Sequence, residues 1–314
     1  MKVTILLPAF DEEQAIEKTI GGIHPVMSAT GLPYEVLVVD DGSQDDTARL
    51  AASAGARVVR HIYNMGNGAA IKTGIRAAQG DVIVTMDADG QHDPEDIPRL
   101  LAEIAHFGMV VGARSRESQT DWYRDLANRV YNLFATYVCA RPIPDLTSGL
   151  RAIRTPLARQ FTYLLPNTFS YPTTLTMALL RAGHCVQYIP IRTARRIGKS
   201  KVRLAQDGAR FLLVIFRIAT LFSPLKIFLP VSLGAVGLGV FWYLFTLITY
   251  GPKMPPASVI LVLSGVFFFL MGLISEQIAQ LRYDRSEDSP LIGNFDPDQQ
   301  AGSEPPPART EGQP

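Results

Sequence analysis

The apolar positions of this chain fall into three regimes. Through the first two hundred residues, short β-branched and apolar runs at 2–7, 34–39, 57–61, 82–86 and 109–112 predict strands. Helical periodicity fills the gaps between them. Ile16, Ile20, Ile23 and Met27 recur at spacings of four, three and four, one apolar face that Gly21, Gly22 and Pro25 weaken towards its end. A second helix is predicted from Ser43, with Asp46 three residues on as a capping box that also sets acids at the positive helix end. A third runs through 69–78 and stops near Gly80, and a fourth starts after Pro94. Strands alternating with helices imply an α/β fold with a mostly parallel central sheet covered on both faces. Ligands of such sheets gather at the carboxyl ends of the strands.

The second regime, residues 206–222, is amphipathic. Phe211, Leu212, Ile215, Ile218, Ala219 and Phe222 make a broad apolar face, and Arg203, Asp207, Arg210 and Arg217 supply a polar side suited to a membrane surface. The third regime is apolar throughout. Residues 227–249 and 257–275 give about 23 and about 19 uncharged positions, or ~34 Å and ~28 Å as helices, each enough for a bilayer. A buried helix of a soluble core could read the same way, but two such runs in tandem favour spans. The link at 250–256 holds three prolines and predicts a hairpin. Arg210, Arg217 and Lys226 precede the first span and Arg282 and Arg285 follow the second, while the link holds only Lys253. The positive-inside rule then puts both ends and the N-terminal domain in the cytoplasm. The tail is rich in Asp, Glu, Pro, Gly and Gln and is expected to be disordered. The expected organisation is a domain at 1–205, a surface helix at 206–225, a two-helix membrane hairpin at 226–282 and a cytoplasmic tail at 283–314.

Composition narrows the class. A net charge of +1 argues against a nucleic-acid partner, which calls for a basic excess. Two isolated cysteines, Cys139 and Cys185, offer neither a disulfide framework nor metal-ligand spacing and fit a reducing compartment. The apolar run at 3–7 is too short for a signal peptide and meets Asp11, Glu12 and Glu13.

Four motifs stand at the predicted strand ends. Asp87-Ala88-Asp89-Gly90-Gln91-His92 sets two carboxylates one residue apart, able to converge on a divalent cation. Oxygen ligands favour Mg2+ or Mn2+, which also bind diphosphate and act as Lewis acids towards a leaving group. A polar turn could carry the same string; its place after an apolar strand favours the metal. Asp40-Asp41-Gly42-Ser43 offers a carboxylate to a nucleobase or ribose, and equally a helix cap. Pro8-Ala9-Phe10-Asp11-Glu12-Glu13 ends the first strand. Asn64-Met65-Gly66-Asn67-Gly68 opens the helix that holds Lys72 and can face a nucleotide or its phosphates. Ile71 stands where a dinucleotide fingerprint needs its third glycine, so that fold is excluded at this loop.

In this order the four motifs resemble the family 2 glycosyltransferases over roughly residues 1–205. Three later features bring the resemblance to the polyprenol-phosphate (dolichol-phosphate) mannosyl- and glucosyltransferase group. They are the string from Asp145 through Thr147, Gly149 and Arg151, the string Arg196-Ile197-Gly198-Lys199-Ser200-Lys201, and the hairpin. No Q-x-x-R-W string of the processive polysaccharide synthases occurs.

The resemblance implies a GT-A nucleotide-sugar-binding domain followed by an amphipathic helix and two transmembrane helices. It implies inverting, in-line transfer of a hexose from a nucleotide diphosphate sugar to a polyprenyl phosphate, with Mg2+ or Mn2+ as cofactor. Pro8, Ala9, Phe10, Glu12, Asp41, Gly66 and Lys72 would then lie on the nucleotide side. Asp87, Ala88 and Asp89 would meet diphosphate and metal, with Gln91 a further ligand. Arg196, Ser200 and Lys201 would close over the diphosphate, and Arg114, Arg124 and Asn128 would hold the acceptor phosphate. Asp89, Asp145 and Arg196 form the expected catalytic set. The partners implied are the nucleotide sugar, the lipid phosphate and the membrane, and a homo-oligomer is compatible with the sequence.

Two questions stay open at the level of residues. The basic stretch from Arg192 to Arg203 can bind diphosphate or anionic lipid headgroups. A lipid monophosphate, with a second pKa of ~6, is already anionic and hardly needs a base. Asp145 is therefore either a base for a hydroxyl acceptor or a residue that orients Arg151 or another basic phosphate ligand.

Overall fold

The computed structural model describes residues 1–114, 132–133, 135–167, 171–193, 220 and 223–284. Most of the expected amphipathic helix and of the tail, and Arg124, Asn128, Arg196, Ser200 and Lys201, lie outside the described residues.

Seven strands form one sheet: β1 (Val3–Ala9), β2 (Tyr34–Asp40), β3 (Arg57–Arg60), β4 (Val82–Thr85), β5 (Met109–Arg114), β6 (Arg151–Arg154) and β7 (Val186–Ile191). Their order is β3-β2-β1-β4-β6-β5-β7. All pairings are parallel except those of β6, which runs antiparallel to both β4 and β5. All seven residues of β1 are buried, the sign of a strand covered on both faces. Val3, Ile5, Leu7 and Ala9 join one core cluster while Leu6 joins the other, as the two-residue period requires.

The first cluster lies under α1 (Ile16–Ala29), α2 (Thr47–Ser53) and α4 (Asp96–Glu103). The second lies under α3 (Asn67–Ala77), α5 (Thr155–Phe161) and α6 (Tyr171–Arg181). Helix α1 runs unbroken through Gly21, Gly22 and Pro25, contrary to the expected weakening. Ile16, Ile20, Ile23 and Met27 are all buried against the sheet, and packing of an amphipathic face outweighs propensity. Helix α2 begins at Thr47 rather than Ser43, and no side-chain cap is formed. Ser43 instead accepts the Asp11 N–H at 3.0 Å, so the expected cap residue joins two loops.

Strand β6 was not legible as a strand, because Arg-Ala-Ile-Arg has charged residues at both ends. Arg151 is fully buried nonetheless. Its guanidinium donates to the Ser148, Pro172 and Thr176 oxygens, so the charge is satisfied by acceptors from two segments, the loop before β6 and helix α6.

After the sheet come α7 (Leu225–Tyr250) and α8 (Pro256–Asp284), packed as an antiparallel hairpin. Each contains 26 residues long and apolar enough to cross a membrane. Large apolar side chains such as Leu233, Phe241, Leu263 and Phe267 stand 60% or more exposed, which suits a lipid solvent rather than water. Between the two helices Ser232 Oγ donates to the Gly265 carbonyl at 2.7 Å, a backbone-directed contact typical of packing in lipid.

Candidate active site

Because β1, β2, β3, β4, β5 and β7 are mutually parallel, their carboxyl ends share one edge of the sheet. The amino end of the reversed strand β6 lies at the same edge and carries Asp145 to Gly149 into it. Three groups of side chains meet there.

The first group organises the loops after β1, β2 and β3. Strand β1 extends to Ala9, two residues beyond its expected end, so Pro8 and Ala9 are paired with Val39 and Asp40 and buried. Ala9 can reach a ligand only through its backbone, whose carbonyl already accepts the Asp41 N–H at 2.8 Å. The Glu12 N–H donates to Thr47 Oγ1 at 2.8 Å, and the Gln44 N–H to Asp11 Oδ1 at 2.9 Å, stitching loop to loop. Asp41 is 2% exposed. It accepts from His61 Nδ1 at 2.6 Å and from the N–H groups of Met65 and Gly66 at 2.9 and 2.7 Å. Gly66 has φ +101°, a conformation open to glycine alone, and this lets its N–H turn towards the carboxylate. A nucleoside at Asp41 would share it with these three donors. Lys72 is engaged by Asn167 Oδ1, and its burial lowers its pKa.

The second group surrounds the paired acids. Asp87 is 37% exposed at its side chain, and its Oδ2 stands 3.4 Å from His92 Nε2. Burial would raise the Asp87 pKa, but His92, with Arg114 and Arg151 beyond it, holds the carboxyl below its ordinary value. Asp89 is buried, and its Oδ1 accepts the Gln91 N–H at 3.2 Å. Ala88 points into the core and its carbonyl accepts Thr19 Oγ1, so it offers a ligand no side-chain contact. Among the described residues, no three His, Cys, Asp or Glu side chains are grouped to hold a metal. A cation here would complete its shell with oxygens from Gln91, diphosphate or water. His92 also bridges to Thr193, which sets the start of the basic stretch beside the acids.

Gly149 touches Asp87 so closely that a Cβ would stand 2.2 Å from Asp87 Oδ2. Its carbonyl is pinned by Thr85 Oγ1 at 2.8 Å, so it cannot retreat freely. Gly149→Ala should therefore displace Asp87, lowering stability by about 1–3 kcal/mol and donor affinity at least tenfold. Thermal unfolding and Mn2+-dependent nucleotide titration check both; unchanged affinity would remove Asp87 from the ligand site.

The third group is a bidentate ion pair. Arg114 Nε and Nη2 donate to Asp145 Oδ2 and Oδ1 at 2.8 and 3.0 Å, and the Arg114 N–H reaches Oδ2 at 3.1 Å. The Thr147 N–H adds a donor at 3.0 Å. Burial pushes the Asp145 pKa up, but Arg114 and these N–H groups outweigh it and leave the carboxyl below its usual range. Asp145 thus orients Arg114 and not Arg151, whose acceptors are all carbonyl and hydroxyl oxygens. His61 and His92 went unnoticed in the sequence as partners of Asp41 and Asp87. The spacing from Asp87 to His92 offered a signal; nothing local tied His61 to Asp41.

A model of glycosyl transferase family 2 matches residues 4–161. The chain belongs to this family. A second model, the GtrB C-terminal hairpin, matches residues 223–281, so this family 2 glycosyltransferase carries a GtrB-type hairpin. Among solved structures it resembles glucosyl-3-phosphoglycerate synthase from Mycobacterium tuberculosis in several complexes. With phosphoglyceric acid the identity is 24%, over 69% of this chain and 79% of that one, at a TM-score of 0.56. With uridine-diphosphate the identity is 25% over the same shares, at a TM-score of 0.54. With Mn2+, uridine-diphosphate and glucosyl-3-phosphoglycerate it is 23%, over 69% and 78%, at 0.55. The likeness shows the GT-A-like α/β fold expected of the family 2 glycosyltransferase.

Proposed function

We propose that the protein is a metal-dependent glycosyltransferase that moves a hexose from a nucleoside diphosphate sugar to a polyprenyl phosphate at the cytoplasmic membrane face. The observation that carries the acceptor is the Asp145–Arg114 pair. A carboxylate committed to an arginine is a poor general base, and an acceptor phosphate needs none. The hairpin supports a lipid acceptor, and the basic flanks of its helices support the orientation.

The donor set fits a hard divalent cation: carboxylate oxygens of Asp87 and Asp89 with the Gln91 amide, one carboxylate held ionised. The solved relatives with Mn2+ and uridine-diphosphate point the same way. When bound, the cation would neutralise charge on the leaving diphosphate. Asp41, Gly66 and the loops joined by Asp11 and Ser43 would seat the nucleoside. Arg196, Ser200 and Lys201 would cover the diphosphate from a segment that begins beside His92. Arg114, with Arg124 and Asn128, would hold the acceptor phosphate in line with the anomeric carbon.

One assay set tests this. UDP-, GDP- and dTDP-sugars are offered with and without Mn2+ to vesicles containing polyprenyl phosphate, free polyprenol or diacylglycerol, with 3-phosphoglycerate as a soluble arm. The expected result is cation-dependent transfer to polyprenyl phosphate alone, in inside-out but not right-side-out vesicles. Transfer to a hydroxyl lipid or to 3-phosphoglycerate in preference would replace the acceptor. Binding of nucleotide sugar without any turnover would indicate a scaffold.

A further inference from the structure

The catalytic domain and the hairpin meet at a junction built from charges. Lys226, in the first turn of α7, donates through Nζ to the carbonyls of Tyr137 and Val138, both at 2.8 Å. The same ammonium lies 5.3 Å from the centroid of the Tyr137 ring. Those carbonyls end the helical residues 135–139, which turn at Ala140 with φ +53°. A cation suits this place, where helix carbonyls are left without partners. From the other span, Glu276 accepts the Leu225 N–H at 3.2 Å and stands 3.7 Å from Arg181 of α6. Ionisable groups at a membrane boundary ordinarily reach for water. These two reach for the catalytic domain, and Ile227 beside them packs on its core cluster.

From this junction, contacts run on to the active site. Thr136 Oγ1 accepts the Ile143 N–H at 3.2 Å. The Asn132 side chain donates to the Pro144 carbonyl at 2.7 Å and accepts the Leu146 N–H at 3.2 Å. The residue between Pro144 and Leu146 is Asp145, which grips Arg114. Residues 135–146 thus form a strut with one end on the hairpin and the other at the site.

We propose that Lys226 and Glu276 form a latch that fixes the catalytic domain on the hairpin and, through this strut, sets Arg114 at a defined height above the bilayer. They are positioning residues for a membrane-borne acceptor. This rests on the lipid acceptor proposed above. A tether alone would keep the domain near the membrane. A substrate whose charged head is confined to a plane needs more, since a misplacement of ~1 Å can cost ~100-fold in rate.

The test uses the full chain in lipid nanodiscs, with Lys226→Met and Glu276→Gln singly and together. Spin labels at Ser53→Cys and Lys253→Cys, on a Cys185→Ser background, report the distance between domain and hairpin without any substrate. The unaltered latch should give one narrow distance distribution and the double variant a broad one. An unchanged width would overturn the latch, whichever acceptor the enzyme uses. Transfer is then compared for a long-chain polyprenyl phosphate and a water-soluble short-chain analogue. The latch variants should lose about tenfold more kcat/KM with the long chain than with the short. Equal losses with both, or none with either, would overturn the positioning role. If the unaltered enzyme used neither acceptor, the lipid assignment would fall while the distances still decided the latch.

Discussion

Asp89→Asn is expected to abolish sugar transfer and to leave the fold intact. The substitution is isosteric and keeps an oxygen able to accept the Gln91 N–H, now met by Asp89 Oδ1 at 3.2 Å. It removes one of the two negative charges proposed to hold the cation. With Asp87 alone, the shell around a hard divalent ion is short of charge, and stabilisation of the leaving diphosphate goes with it. The expected loss is at least ~1000-fold in kcat/KM, about 4 kcal/mol of transition-state stabilisation. Thermal unfolding should stay close to that of the unaltered enzyme, while Mn2+-dependent nucleotide binding weakens sharply. Near-normal turnover with Mg2+ or Mn2+ would remove the metal from Asp89.

Asp145→Ala and Arg114→Ala should each lower kcat/KM for the lipid phosphate roughly ten- to a hundredfold, and the double variant should be no worse than either. Asp145 and Arg114 face each other through two side-chain bonds, so removing either leaves the other misplaced. The loss corresponds to one charge-assisted phosphate contact of ~1.5–3 kcal/mol. A general base at Asp145 would behave differently. Asp145→Ala would then cost ~100- to 10,000-fold, Arg114→Ala much less, and the double variant would not plateau. Stability should fall in both single variants, because Asp145 and Arg114 are 7% and 27% exposed and breaking a buried pair costs about 3–5 kcal/mol.

The pH dependence follows the same pair. Burial raises the Asp145 pKa, yet Arg114 leaves it below the ordinary carboxylate value. A group depressed in the folded state stabilises above its unfolded pKa of ~3.9 and loses that contribution as pH falls through the folded one. Asp145 is therefore ionised across neutral pH, its share of the stability is lost only in acid, and it adds no limb to the activity profile between about pH 6 and 9. A limb in that interval that vanishes in Asp145→Asn would return Asp145 to the role of base.

Several of these features were decided by local sequence. The apolar runs at β1, β2, β4 and β5 required strands buried on both faces, and the acids at the ends of β1, β2 and β4 put the candidate site at one sheet edge. The two uncharged runs required a pair of long apolar helices, because only the length and composition of a segment enter that judgement. The order of the four motifs was enough for the family, and the two apolar runs with their proline-rich link were enough for the C-terminal hairpin.

Tertiary structure decided the rest. Strand β6 could not be read locally, since a fully buried arginine is tolerable only once Pro172 and Thr176, from a distant helix, supply its acceptors. The start of α2 depended on Ser43 finding Asp11 across 32 residues of chain. The roles of the acids depended on partners 20 and 31 positions away, His61 for Asp41 and Arg114 for Asp145. Periodicity reports which face of an element is apolar and which residues are charged. It carries no information about which charges will meet, because that is set when strands from separate parts of the chain take their register in one sheet.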